Sequence, residues 1–115
     1  MGWVKIKEAE YGTKLYELLW KLQGTDYFLA YSDLFPNRIN ASPENPEDYQ
    51  LFRDHYKILR DTKSRELLRL LHQGQKNGKM GIDDVATRLS LEADEVRSRI
   101  EFFRKSGMRS DVSLR

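Results

Sequence analysis

From Ile82 to Met108 the chain reads IDDVATRLSLEADEVRSRIEFFRKSGM, and two apolar stripes inside it, interrupted once, restrict the fold more than any other stretch. Val85, Ala86 and Leu89 recur at helical spacing, which predicts a short helix over about Asp83 to Ser90 with one apolar face turned to a core. Ala86 is the small residue that a close helix crossing needs. Ser90, Leu91 and Glu92 then break the period, and Val96, Ile100 and Phe103 begin a second stripe with spacings of four and three. Leu91, between the stripes, becomes the buried plug of the turn. Arg104 and Lys105 suit a last helical turn and Gly107 a left-handed terminus, so the second helix is expected to stop near Ser106.

Two short helices joined in this way form a helix-turn-helix. The small Ala86, the apolar Leu91, the triplet Val96, Ile100 and Phe103 and the closing Gly107-Met108 together resemble a winged-helix domain, with Arg65 to His72 as the preceding helix and the likeness running from Ser64 to about Leu114. The resemblance implies that the second helix is a recognition helix for the major groove of duplex DNA and that a β-hairpin wing follows it.

The charges around that helix restrict how it could meet a duplex. Ser90 stands in the turn where many helix-turn-helix proteins carry glycine, and the helix opens with Glu92, Asp94 and Glu95. Carboxylates suit a helix N-terminus, but phosphates repel them unless they accept from a cytosine amino group. DNA contact must therefore lean on Arg88, Arg97, Arg99, Arg104, Lys105 and Arg109. Arg97 and Ser98 fall off the apolar stripe, with Glu101 a turn beyond, and are expected to face the groove.

A chain of 115 residues can bury one modest core, which predicts a single domain: residues 1–61 as a strand and helices forming an interaction platform, 62–115 as the helix-turn-helix unit. The fold class expected is mainly α, a winged helix with extra N-terminal helices and at most a small β-sheet. Without cysteine there is neither a disulfide nor a thiolate metal site, and an intracellular, cytoplasmic protein is the expectation. No apolar run approaches a bilayer span, and no basic-then-apolar leader opens the chain. The net charge of +2 conceals an asymmetry: residues 62–115 hold twelve cations against eight anions, 41–61 three against five, and 1–40 five of each. A basic C-terminal half fits an acidic partner such as nucleic acid, and equally a solvated surface.

In chain order, WVKIK at 3–7 alternates apolar and polar residues and predicts a short strand. Gly12 and Thr13 supply a break and an N-cap, after which Leu15, Leu18, Leu19 and Leu22 make a helix closed by Gly24. Thr25-Asp26 caps a second helix that ends at Pro36. PNRINASPENP, from Pro36 to Pro46, reads as a loop, and Tyr49, Phe52, Tyr56 and Leu59 as a helix over about Glu47 to Arg60. A break at Asp61-Thr62, capped by Thr62 or Ser64, leads into a helix over Lys63 to His72, with Gln73 to Gly81 as a flexible connector. Lys79-Met80 would be a remnant strand there. Val112 and Leu114 can form one wing strand, which leaves either a truncated wing or a strand paired with WVKIK.

WVKIK, GTDYFLAYSDLF at 24–35 and DEVRSRIEFFRKSGM at 94–108 also look like the N-terminal winged-helix domain of DnaD-like and phage replisome-organiser proteins. That resemblance implies assembly of replication machinery on DNA, with self-association through the winged helix.

Catalytic constellations are missing from this sequence, and the reading is non-enzymatic, with neither cofactor nor metal. His55 and His72 have no ligand at metal spacing and are expected at the surface or the core edge. GQKNGKMG lacks the strand and the Lys-Ser/Thr pair of a phosphate loop, and Asp83, Asp84, Glu92, Asp94 and Glu95 are better explained as helix-start residues than as a cation site. Eleven aromatics crowd residues 3–56, more than a small core needs, which predicts a homodimer or partner surface there. Two functions follow: a DNA-binding protein of transcription regulation or replication initiation, probed with double-stranded DNA, or a protein-interaction module of the same fold.

Overall fold

In the stretch GTDYFLAYSDLF, Thr25 takes extended backbone angles and its hydroxyl accepts from the Phe28 N–H at 3.4 Å, so a helix starts at Asp26 as its cap dictates. The computed structural model describes residues 2–36 and 45–115, and every regular element among them is helical. These are α1 (Gly2–Leu22), α2 (Asp26–Leu34), a 3₁₀ turn (Pro46–Asp48), α3 (Tyr49–Arg60), α4 (Thr62–Asn77), α5 (Ile82–Leu89) and α6 (Ala93–Lys105). The mainly α class is as expected. The greater part of the loop expected over Pro36–Pro46 lies outside the described residues.

Several boundaries differ from the sequence reading. WVKIK is not a strand but the opening of α1, which runs unbroken through Gly12 and Thr13. Alternation over five residues is a weak signal beside the helix formers that follow, Lys7 to Glu10, and the long helix propagates through it. Gly12 does not break α1 because it lies where α1 meets α3: a Cβ built there would stand 3.4 Å from the Phe52 ring. At the corner after α3 the cap is Asp61, not Thr62 or Ser64. Its carboxylate accepts from the Ser64 N–H at 3.3 Å and from the Ser64 hydroxyl at 2.7 Å. From there α4 continues five residues past His72, with Gly74 buried inside it, which shortens the connector to Gly78–Gly81.

One continuous cluster joins both halves of the chain. α1 packs along α3 and α2 along α4, while α5 and α6 close over the end of α4. Leu67, Leu68 and Leu71 of α4 sit at its centre with Leu34, Phe35, Phe52, Val85, Val96 and Phe103, all almost fully buried. Each contributes roughly 1.5–3 kcal/mol of transfer free energy.

His55 is not an edge residue but part of this core, 1 % exposed. Its Nε2 faces the Ser106 carbonyl at 2.7 Å and its Nδ1 the Tyr31 hydroxyl at 2.5 Å. The carbonyl can only accept, so Nε2 carries hydrogen, and in the neutral ring Nδ1 accepts from Tyr31. Phe35 packs edge-on against the same imidazole, with centroids 4.8 Å apart. His72 is half-buried beside Asp33, at 3.6 Å.

After α6 the chain folds back rather than forming a hairpin. The Arg109 N–H donates to the Leu34 carbonyl at 2.9 Å, closing the end of α2, and Met108 and Val112 are buried. The Arg115 N–H reaches the Met80 carbonyl at 2.9 Å and Lys79 Nζ the Ser113 hydroxyl at 2.7 Å. No strand forms among the described residues. The tail thus lies beside the α4–α5 connector, and it does not pair with WVKIK, which is helical.

Candidate nucleic-acid interface

The turn between α5 and α6 follows from one backbone conformation. Ser90 adopts φ 56° and ψ 44°, the left-handed region, and is the non-glycine residue with positive φ among those described. This reverses the chain so that the Leu91 N–H donates to the Ala86 carbonyl at 3.0 Å. Lys63 Nζ, from α4, donates to the Leu89 carbonyl at 2.5 Å and neutralises the negative end of α5. The left-handed region costs an L-residue about 1–2 kcal/mol, and glycine there escapes this at the cost of greater freedom in the unfolded chain. Ser90→Gly is therefore expected to raise stability by about 0.5–1 kcal/mol, seen as a melting temperature about 2–4 °C higher. A lower melting temperature would show that the serine hydroxyl contributes more than the strain it accompanies.

α6 begins as its carboxylates dictate. Glu95 accepts from the Glu92 N–H at 3.2 Å, which places one of the three acidic groups in a capping role. Asp94 pairs with Arg97 at 2.8 Å one turn on. Val96, Ile100 and Phe103 point inward, buried with Val85, Ala86 and Leu89. This leaves Asp94, Arg97, Ser98, Glu101, Arg104 and Lys105 exposed along the outer side of α6.

The seven residues expected to contact DNA divide into two groups. Arg88, Arg97, Ser98, Arg104 and Lys105 are exposed, the Arg97 side chain by 59 %. Arg104 also reaches the Val112 carbonyl at 3.4 Å. Arg99 and Arg109 are struts. Arg99 is only 27 % exposed and its guanidinium donates to Asp61 at 3.3 Å, so it ties α6 to the α3–α4 corner. Burial pushes the Asp61 carboxyl up, but the Ser64 hydroxyl and the Arg99 guanidinium outweigh it and hold the carboxyl below its usual range. Arg109 grips Asp111 at 2.6 Å and Asp33 at 3.2 Å, and the hydrogen bond to Asp111 raises its already high pKa.

Most of the aromatics crowding the first half serve the core. Tyr31, Phe35 and Phe52 are buried, and Tyr11, Tyr27, Phe28, Tyr49 and Tyr56 pack partly against them. The side chain of Trp3 lies outside the described residues. Trp20, 76 % exposed, and Tyr16, 46 % exposed, stand one turn apart on α1, and Leu29 of α2 is exposed as well. No helix among the described residues is long and apolar enough to cross a membrane.

No protein-family model, curated protein or solved structure matches this chain. Its functional reading therefore rests on the geometry of its own side chains.

Proposed function

We propose that this is a non-enzymatic duplex-DNA-binding protein of the helix-turn-helix, winged-helix-like kind, acting in transcription regulation or replication initiation as a homodimer. What supports the reading is the α5–α6 pair, whose buried stripe leaves Arg97, Ser98, Arg104 and Lys105 on one outer face of the second helix, with Arg88 at the end of the first. The acidic first turn restricts the docking. Arg97 and Ser98 meet base edges beside Asp94, which accepts from a cytosine amino group, while Arg104 and Lys105 meet phosphates. Trp20 and Tyr16 supply the self-association surface.

Arg97→Glu/Arg104→Glu is expected to weaken binding of a fluorescent duplex about tenfold or more at about 50 mM salt, with the fold retained in circular dichroism and only a small fall in melting temperature from the lost Asp94 and Val112 contacts. Arg99 is the wrong residue to reverse, since its loss would also free Asp61. Parental affinity in the double variant would remove α6 as the recognition helix.

A second reading, a protein-interaction module of the same fold, is favoured by the three carboxylates at the start of α6 and by exposed Trp20. It predicts no duplex binding even at low salt, where a basic surface binds at least nonspecifically. The same titration separates the two readings.

A further inference from the structure

Away from α6, three helices bring cations together around one open groove of about 360 Å³. On α1, Lys14, Leu18 and Lys21 follow one another at spacings of four and three and form one wall. Tyr56 and Arg60 of α3, four residues apart, and Arg65 of α4 form the other. Four cations line the groove with Glu17 as the one carboxylate among its lining residues. Lys14 has only a loose contact with Glu10, at 3.9 Å, and Lys21, Arg60 and Arg65 pair with no described carboxylate within 4.0 Å. Glu66, one residue from Arg65, accepts hydrogen bonds from the Tyr27 hydroxyl and from Arg69; the Tyr27 bond above all holds its carboxyl low, and the charges of Arg69 and Arg65 add to this without a direct Arg65 ion pair.

Like charges gathered on three elements repel one another unless an anion lies between them. The arginines are also held in place for such an anion. The Arg60 guanidinium lies over the Tyr56 ring at 5.9 Å and that of Arg65 over Tyr27 at 5.6 Å, while Arg65 Nε is buried without a hydrogen-bond partner. A guanidinium held near a ring by cation–π attraction still has N–H groups to offer phosphate oxygens. The groove thus presents cationic donors suited to a phosphodiester backbone.

We propose that the groove between α1, α3 and α4, walled by Lys14 and Lys21 against Arg60 and Arg65, is a second binding site for the phosphate backbone of duplex DNA, separate from α6 and blind to sequence. The choice of a duplex as the polyanion rests on the helix-turn-helix reading, but the site does not need α6. Arg60 adjoins Asp61 in the chain, and Asp61 holds Arg99 of α6 at the α3–α4 corner.

The test is a salt titration of the full chain with a labelled duplex of about 20 base pairs, each contacted phosphate adding about 0.9 to the slope of log affinity against log salt. Lys14→Glu/Lys21→Glu, at two exposed positions, is expected to lower affinity about tenfold or more at about 50 mM salt and to flatten that slope by about 2, with preference between two duplex sequences unchanged. Arg60→Gln/Arg65→Gln is expected to do the same, and circular dichroism melts check that both variants fold. If both pairs bind with parental affinity and slope while Arg97→Glu/Arg104→Glu loses binding, the groove is wrong and the helix-turn-helix reading stands. If the groove variants lose binding and the α6 variant does not, the groove stands and the recognition helix is wrong. Tighter binding of a single strand of equal length, or binding to phosphatidylserine vesicles with no duplex binding by the parent, overturns the groove as a duplex site.

Discussion

Phe103→Ala is expected to lower the unfolding free energy by roughly 3–5 kcal/mol, a large part of the 5–15 kcal/mol that keeps a domain of this size folded. Phe103 is fully buried near the end of α6, with its ring edge-on to Phe35 at 6.3 Å, and its carbonyl accepts from the Met108 N–H at 3.0 Å as the helix closes. Alanine would leave a void between α6 and the end of α2, where Arg109 also binds Leu34, so collapse around it is opposed from two sides. For 115 residues the melting temperature should fall by about 12–20 °C. Phe103→Leu keeps most of the volume and should cost about 1–1.5 kcal/mol. Urea unfolding measures both, and an alanine variant within about 1 kcal/mol of the parent would mean that α6 is not held by this side chain.

The second large effect belongs to His55. Leucine fills a similar volume but takes away the ring nitrogens that face the Tyr31 hydroxyl and the Ser106 carbonyl inside the core, at a cost of about 2–4 kcal/mol in total. Glutamine can still donate to Ser106 and should recover about 1 kcal/mol of that. The informative comparison adds Tyr31→Phe. Because the Tyr31 hydroxyl and the imidazole face each other at 2.5 Å, the Tyr31→Phe/His55→Leu pair should cost less than the sum of the two single substitutions. Strict additivity in urea unfolding would show that the hydroxyl and imidazole do not depend on each other.

What could be read from the sequence is what short-range physics determines. α2 is legible because Thr25 caps it and Pro36 follows it, and α5 and α6 because two stripes and one turn residue agree within 27 residues. The outward side of α6 follows from the same periodicity, which is why Arg97, Ser98, Arg104 and Lys105 fall where expected. The second half of α1 is legible in Leu15, Leu18, Leu19 and Leu22, but its first half is not, since β-branched Val4 and Ile6 signal a strand locally and Gly12 signals a break, whereas the close approach of Phe52 lies 40 positions away. Gly74 misleads in the same way, because a glycine buried within a helix looks like the start of a connector. The burial of His55 requires Tyr31 and Ser106, 24 and 51 residues distant, and the strut roles of Arg99 and Arg109 require Asp61 and Asp33, 38 and 76 residues distant. No window along the chain contains those pairs. The groove cations were visible one helix at a time, Lys14 with Lys21 and Tyr56 with Arg60, but only the packing of α1 on α3 puts them opposite each other.

Asp61 ends one helix, starts the next and ties down a third, so a single side chain joins α3, α4 and α6 at one corner. Changing it would leave every proposed contact residue in place while removing one of the restraints on the helix that presents them. A binding defect in such a variant would report lost alignment rather than a lost ligand contact, and screens that rank residues by affinity alone would misassign the corner as part of the interface.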